Sequence, residues 1–185
     1  MKKIALVFAA AAMVAGFSTV SFADTSGKAT ASVFVTVNPN IGIKVNTATV
    51  DAGQVQTGDF AANIAFRVDA NAQFINAFAS ASALYKGDDP KGTEVAPIPL
   101  NLTKGIAIVP TSGNEVNAGD NMAAFTVPGE DIGLYPTMRT EQITLESSQN
   151  GHFSQDVNMK VWWNQNDPEK PQGQYSGKVA LYVLL

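Results

Sequence analysis

The sequence predicts a single all-β domain of the sandwich type, and three observations carry that prediction. Short runs rich in Val, Ile, Thr and aromatic residues recur along the chain at sandwich-like intervals. Turn signals separate them, among them Lys86-Gly87-Asp88-Asp89-Pro90, Thr111-Ser112-Gly113-Asn114, Val127-Pro128-Gly129, Gln149-Asn150-Gly151 and Asn166-Asp167-Pro168. No stretch of the remaining chain carries the 3.6-residue period of an amphipathic helix.

The elements follow in order, after a leader. Lys2 and Lys3 precede the run 4–17, which has no charged side chain, and Ser21-Phe22-Ala23 brings small residues to the third-last and last positions of the segment. Residues 1–23 therefore read as a secretory signal peptide; the apolar run is shorter than the ~20 residues that cross a hydrocarbon core. Its removal leaves 162 of the 185 residues, starting at Asp24, and takes the formal net charge from −4 to −6, because two lysines and no acid go with it. Residues 31–37 alternate, with Ala31, Val33, Val35 and Val37 on one face, and end at the turn cluster Asn38-Pro39-Asn40. The run 41–45 alternates again. Further strands are expected over 64–68, 74–78, 95–102 (interrupted by prolines), 106–109, 123–127, 142–145, 157–163 and 177–185. The alanine-rich stretch 77–83 admits a helical turn, but Phe74, Asn76, Phe78, Ser80 and Ser82 also alternate, and it is read as strand. In the last run Val179, Leu181, Val183 and Leu185 point to one side, Lys178, Ala180, Tyr182 and Leu184 to the other. Both terminal strands are apolar enough to be edge hazards if unpaired.

Composition excludes several function classes. There is no cysteine, hence no disulfide framework, thiolate nucleophile or Cys-ligated metal, and an exported domain must draw its stability from its core or from neighbouring subunits. With 12 basic against 16 acidic residues there is no nucleic-acid footprint. His152 is the single histidine, which excludes His-pair zinc sites.

The run Val33-Phe34-Val35-Thr36-Val37-Asn38-Pro39, the following Ile41-Gly42-Ile43-Lys44-Val45 and the ending Gly173-Gln174-Tyr175-Ser176-Gly177-Lys178-Val179-Ala180-Leu181-Tyr182-Val183-Leu184-Leu185 resemble the major pilin subunits of chaperone–usher fimbriae. The likeness is greatest to the cysteine-free colonisation-factor (alpha) class. It is carried by the two ends of the chain; the middle matches in length and β-rich character. The resemblance implies an immunoglobulin-like sandwich that is incomplete and is completed by a donated strand. Residues 1–23 would be the signal peptide, 24–39 a donor-strand extension and 40–185 the pilin domain. Ala31, Val33, Val35 and Val37 would be the donor face, and Tyr175, Val179, Leu181, Val183 and Leu185 would line the acceptor groove at the C-terminal strand. The implied partners are identical subunits in a filament, a periplasmic chaperone, an outer-membrane usher and a tip adhesin, with export through the periplasm to the cell surface and a role in adhesion. No enzymatic activity and no cofactor are implied. The donor valines would each contribute about 1.5–3 kcal/mol on full burial, and Pro39, with no amide donor, would end the pairing.

Rival constellations carry less. His152 lies in the turn sequence Gln149-Asn150-Gly151-His152-Phe153, as a loop histidine or a solitary general base. Asp88-Asp89 and Glu130-Asp131 are adjacent carboxylates, whereas glycoside hydrolysis needs two acids across a cleft, and the spacing of Asp88 and Asp89 fits no calcium loop. There is no Gly-x-Ser-x-Gly elbow. Asn101-Leu102-Thr103 has the glycosylation-acceptor pattern, read as chance in what looks like a bacterial secreted chain. Trp162 and Trp163 are adjacent on a strand, so one is expected inside and one outside. A second function class remains open on that basis: a free-standing secreted β-sandwich carbohydrate-binding module using Trp162 or Trp163 and the loops.

Overall fold

A computed structural model of the chain describes residues 31–46, 48–109, 116–118, 122–148 and 150–185. The expected signal peptide, and residues 24–30 of the extension after it, lie outside the described residues. The chain divides into two units, residues 1–36 and 37–185, and among the described residues the strands lie in the second.

Among the described residues there are strands and no helix, as the missing 3.6-residue period predicts. In chain order the strands begin with β1 (Ile41–Val45), β2 (Gly58–Ala70), β3 (Phe74–Ser82), β4 (Tyr85–Lys86) and β5 (Ile106–Val109). The middle of the chain supplies β6 (Val116–Ala118), β7 (Met122–Ala123), β8 (Phe125–Pro128), β9 (Thr137–Thr140) and β10 (Ile143–Ser147). The last are β11 (Phe153–Gln165), β12 (Tyr175–Ser176) and β13 (Val179–Leu184). All the pairings are antiparallel. One sheet has the order β1-β2-β11-β5-β7. In the other, β3 is central: β10 and β9 lie end to end along one of its edges, β13 takes the opposite edge, β6 extends β10 and β8 extends β9. Strands β4 and β12 form a short ladder of their own.

The inner faces of the two main sheets enclose one core. Alternate residues of β2 (Ala62, Ile64, Phe66, Val68, Ala70) and β11 (Phe153, Val157, Met159, Val161, Trp163) meet Ile75, Ala77, Ala79 and Ala81 of β3, Ile143 and Leu145 of β10, Phe125 of β8 and Leu181 of β13. The fold is thus an all-β sandwich, with period-2 burial along both long strands.

Several boundaries differ from those the sequence predicts. β2 and β11 are far longer than the runs 64–68 and 157–163, because small or polar residues such as Ala62, Gln155 and Gln165 occupy inward positions and hide the alternation. The expected strand over 95–102 does not form: Pro97 and Pro99 lack amide donors, and only isolated bridges at Ile98 and Leu100 remain. The run 123–127 is split between the sheets, β7 pairing with β5 and β8 with β9. Strand β9 is unexpected, since Thr137 and Thr140 are buried polar residues with no hydrophobic signature. Residues 31–37, expected as a strand, belong to no sheet in the single chain.

Candidate functional site

Strands β1 and β13 are edge strands. Among the described residues each is hydrogen-bonded along one side alone, β1 to β2 and β13 to β3, and the two approach each other without pairing. Register fixes which way their side chains point, because directly opposed residues of an antiparallel pair share a face. Ile41, Ile43 and Val45 stand opposite Ala70, Val68 and Phe66, all buried, so they point inward. Val179, Leu181 and Val183 stand opposite the buried Ala81, Ala79 and Ala77 and also point inward. Their burial does not match that orientation. Leu181 is 7% exposed, but Ile43 is 41%, Val45 49% and Leu185, just beyond β13, 47%, while Val179 and Val183 are half-buried. An aliphatic strip that faces the core and still meets solvent therefore runs between the two edge strands. Of the residues singled out in the sequence, Val179, Leu181, Val183 and Leu185 lie on it; Tyr175 does not, since it sits on β12 with its ring against the core and its hydroxyl donating to the Pro171 carbonyl at 2.8 Å. Ile43 and Val45 complete the strip, and only long-range pairing brings them there.

The C-terminal motif anchors β13 from one end. Ser82 N–H donates to the Lys178 carbonyl at 2.9 Å, Lys178 N–H returns a bond to Ser82 Oγ at 2.9 Å, and Trp163 Nε1 donates to the Ser82 carbonyl at 3.0 Å. Gly177 threads this joint: a Cβ there would lie 2.7 Å from the Ala83 carbonyl oxygen and 2.8 Å from Ser82 Oγ. Gly173 has φ of +144°, a conformation open to glycine. Ser176 Oγ donates to Asp88 Oδ1 at 2.6 Å, and the Tyr135 hydroxyl donates to the same oxygen. These bonds, Ser176 foremost, hold the Asp88 carboxyl below the usual carboxylate range; burial, then Asp88 itself, pushes the Tyr135 phenol up. The glycines, Ser176 and Asp88 thus fasten β12 and the start of β13 to β4.

On the outer face of the β3 sheet a second arrangement crosses three strands. Phe78 of β3 and Tyr182 of β13, directly opposed, stack with centroids 4.8 Å apart and planes 10° apart. The Arg139 guanidinium of β9 lies 4.9 Å from the Phe78 centroid.

The N-terminal segment carries apolar side chains without cover: Val33, Phe34, Val35 and Val37 are 91, 92, 87 and 76% exposed. The backbone that follows is held. Asn71 N–H donates to the Asn40 carbonyl at 3.2 Å, Asn71 Oδ1 accepts from Asn40 N–H at 2.7 Å, and Asn71 Nδ2 donates to the Asn38 carbonyl at 2.8 Å. These bonds carry the contact between the two strands one position beyond Ile41↔Ala70, to Asn40 and Asn71, and tie in Asn38.

The rival constellations do not assemble into sites. His152 is exposed, with Nδ1 3.2 Å from the Asn150 carbonyl. Asp88 is engaged as described, and Glu130 and Asp131 are exposed loop residues. Asn101 donates to Asp59 at 3.0 Å and accepts from Lys104 N–H at 2.9 Å, so its amide is occupied. Trp163 is buried and Trp162 half-buried with the Lys160 ammonium 5.1 Å from its ring, as the inside–outside expectation requires. No group of acidic and histidine side chains among the described residues could hold a metal ion, and no described helix is long and apolar enough to cross a membrane. No protein-family model and no curated protein matches the chain.

Proposed function

We propose that this chain is the structural subunit of a surface fimbria, polymerising by donor-strand exchange and contributing to adhesion through the filament. In this reading the sandwich is immunoglobulin-like and incomplete. Residues 31–37 of one copy lie between β1 and β13 of the next, with Val33, Val35 and Val37 covering Ile43, Val45, Val183 and Leu185. One observation carries the reading: inward-pointing aliphatic side chains on two edge strands, each with one open side, stay exposed, while the same chain presents an alternating apolar segment that joins no strand among the described residues. Strand addition satisfies both needs at once, supplying main-chain partners to the open edges and side chains to the strip. A periplasmic chaperone would lend a strand before assembly, an outer-membrane usher would host the exchange, and a tip adhesin would cap the filament; the chain acts without cofactor and is no enzyme.

The experiment is a pair of chains expressed with their export machinery. Deleting residues 24–37 abolishes polymers while leaving the chaperone complex intact. Adding a copy of residues 28–38 after Leu185, through a short flexible linker, gives a monomer that melts well above the uncomplemented form and does not polymerise. A plain mature chain that is equally heat-stable and stays monomeric without a chaperone overturns the reading in favour of a free-standing binding module.

A further inference from the structure

We infer that Phe34 of the incoming strand sets its register by stacking on Tyr182 of the receiving subunit, as the fourth member of the row Arg139, Phe78, Tyr182. This rests on the strand-exchange reading above and adds to it a residue that faces away from the core. Phe78 and Tyr182 are directly opposed and stack at 4.8 Å, one interstrand step along the hydrogen-bonding direction from β3 to β13, while Arg139, which stands opposite Ser80, reaches diagonally from β9 to within 4.9 Å of the Phe78 centroid and closes the other end of the row. Its Tyr182 end stops at the open edge of β13. A strand added there places the side chain opposite Tyr182 one further step along, and an aromatic ring at that position continues the stack.

The sequence of the incoming segment supplies one ring on the matching face. In residues 31–37 the outward positions are Ser32, Phe34 and Thr36, and Phe34 is 92% exposed in the single chain. Setting Phe34 opposite Tyr182 in an antiparallel pair fixes every other position. Val33 meets Val183, Val35 meets Leu181, Val37 meets Val179 and Ala31 meets Leu185, so each inward residue finds an aliphatic partner. Pro39 then falls beside Gly177, outside β13, where its missing amide leaves no gap in the ladder. A slip of two residues in one direction brings Pro39 opposite Val179 and inside the ladder; the other direction carries Val37 off the end of β13. A slip of one turns Phe34 into the core and the valines to solvent.

The chain has no cysteine, so paired substitutions report register against a clean background. Filaments are assembled from Phe34→Cys/Tyr182→Cys subunits and compared with Phe34→Cys/Ala180→Cys and Phe34→Cys/Leu184→Cys; Thr36→Cys/Ala180→Cys reports direction. A disulfide needs Cα atoms within about 7 Å, which directly opposed residues meet and diagonal ones do not. The expected result is a non-reducing ladder of covalent multimers for 34/182 and 36/180 and none for 34/180 or 34/184. Multimers through 34/180 or 34/184 overturn the register while leaving strand exchange standing; filaments that persist without residues 24–37 overturn the exchange itself. A second measurement serves if cysteine variants fail to assemble. Phe34→Leu should speed thermal loss of subunits from filaments about three- to tenfold, Phe34→Tyr should not, and Phe34→Leu combined with Tyr182→Leu should be no worse than Tyr182→Leu alone, which already loses the Phe78 stack. Additive losses in that cycle mean the two rings do not meet.

Discussion

Replacing Gly177 by alanine tests the joint that fastens β13. The new methyl carbon would lie 2.7 Å from the Ala83 carbonyl oxygen and 2.8 Å from both Leu84 Cδ2 and Ser82 Oγ. The tip of Leu84 can swing away. The other two atoms cannot, because Ser82 Oγ donates to the Ala83 carbonyl at 2.8 Å while accepting from Lys178 N–H at 2.9 Å. Forcing volume into such a contact costs about 1–3 kcal/mol, and prising the joint apart puts two hydrogen bonds at risk at about 1 kcal/mol each. The combined destabilisation of about 2–5 kcal/mol corresponds to a fall in Tm of roughly 5–20 °C for a domain of this size. Gly42→Ala is the control: it sits within β1, and the nearest atom to its Cβ is the Asp69 carbonyl oxygen at 3.9 Å. That variant should melt unchanged or slightly higher, since alanine restricts the unfolded chain. Far-UV circular dichroism melts of both variants, in the mature chain and in its self-complemented form, make the comparison. Equal melting temperatures for Gly177→Ala and the parent would refute the claim that close approach, and not chance, puts glycine there.

Three further outcomes are expected. Leu181→Asp puts a carboxylate at the one buried position of β13, at a cost of several kcal/mol, so the cellular level of the chain should collapse on immunoblots; normal accumulation would mean that this face of β13 is solvated. Gln155 is 1% exposed among core residues, with neither amide atom hydrogen-bonded, so Gln155→Met should raise stability by about 1 kcal/mol or more in urea titrations, and a loss would show that the amide has a partner. The carboxyl of Asp88 is held below its ordinary pKa, so its stabilising effect is complete above the ordinary carboxylate range and declines as the pH falls through the lowered value; stability-against-pH curves of Asp88→Asn and parent should differ at neutral pH and converge in strong acid.

The alternation of residues 179–185 was readable because one apolar residue in two is a sheet signal in itself, and burial places Val179, Leu181 and Val183 on the inner side. The alternation of 31–37 was equally plain, yet no strand forms there, because a strand exists only when another backbone satisfies its ladder, and the single chain supplies none. What was not legible is the neighbourhood of β1 and β13. Ile43 and Val45 are remote in sequence from Val183 and Leu185, and only the pairing of β1 with β2 and of β13 with β3 brings the two edges side by side. The outer row was hidden for the same reason: Arg139, Phe78 and Tyr182 come from three strands, one of them a strand whose threonines gave no hydrophobic pattern.

The bonds from Asn71 to Asn38 and Asn40 also define a path for mechanical load. In a filament joined by exchanged strands, tension on a subunit enters through residues 31–37 and passes along 38–40 into β1. Since Asn71 bonds Asn38 and Asn40 beside the end of β2, tension of that kind would load the β1–β2 ladder along its length, and the five residue pairs from Ile41↔Ala70 to Val45↔Phe66 would bear it together in shear instead of peeling one at a time. Rupture then demands that several bonds fail at once, so the force a subunit withstands is set by an unfolding rate more than by equilibrium stability. In a filament of the proposed kind, a single asparagine at the end of β2 would thereby decide whether a stretched fibre slides as a block or unzips.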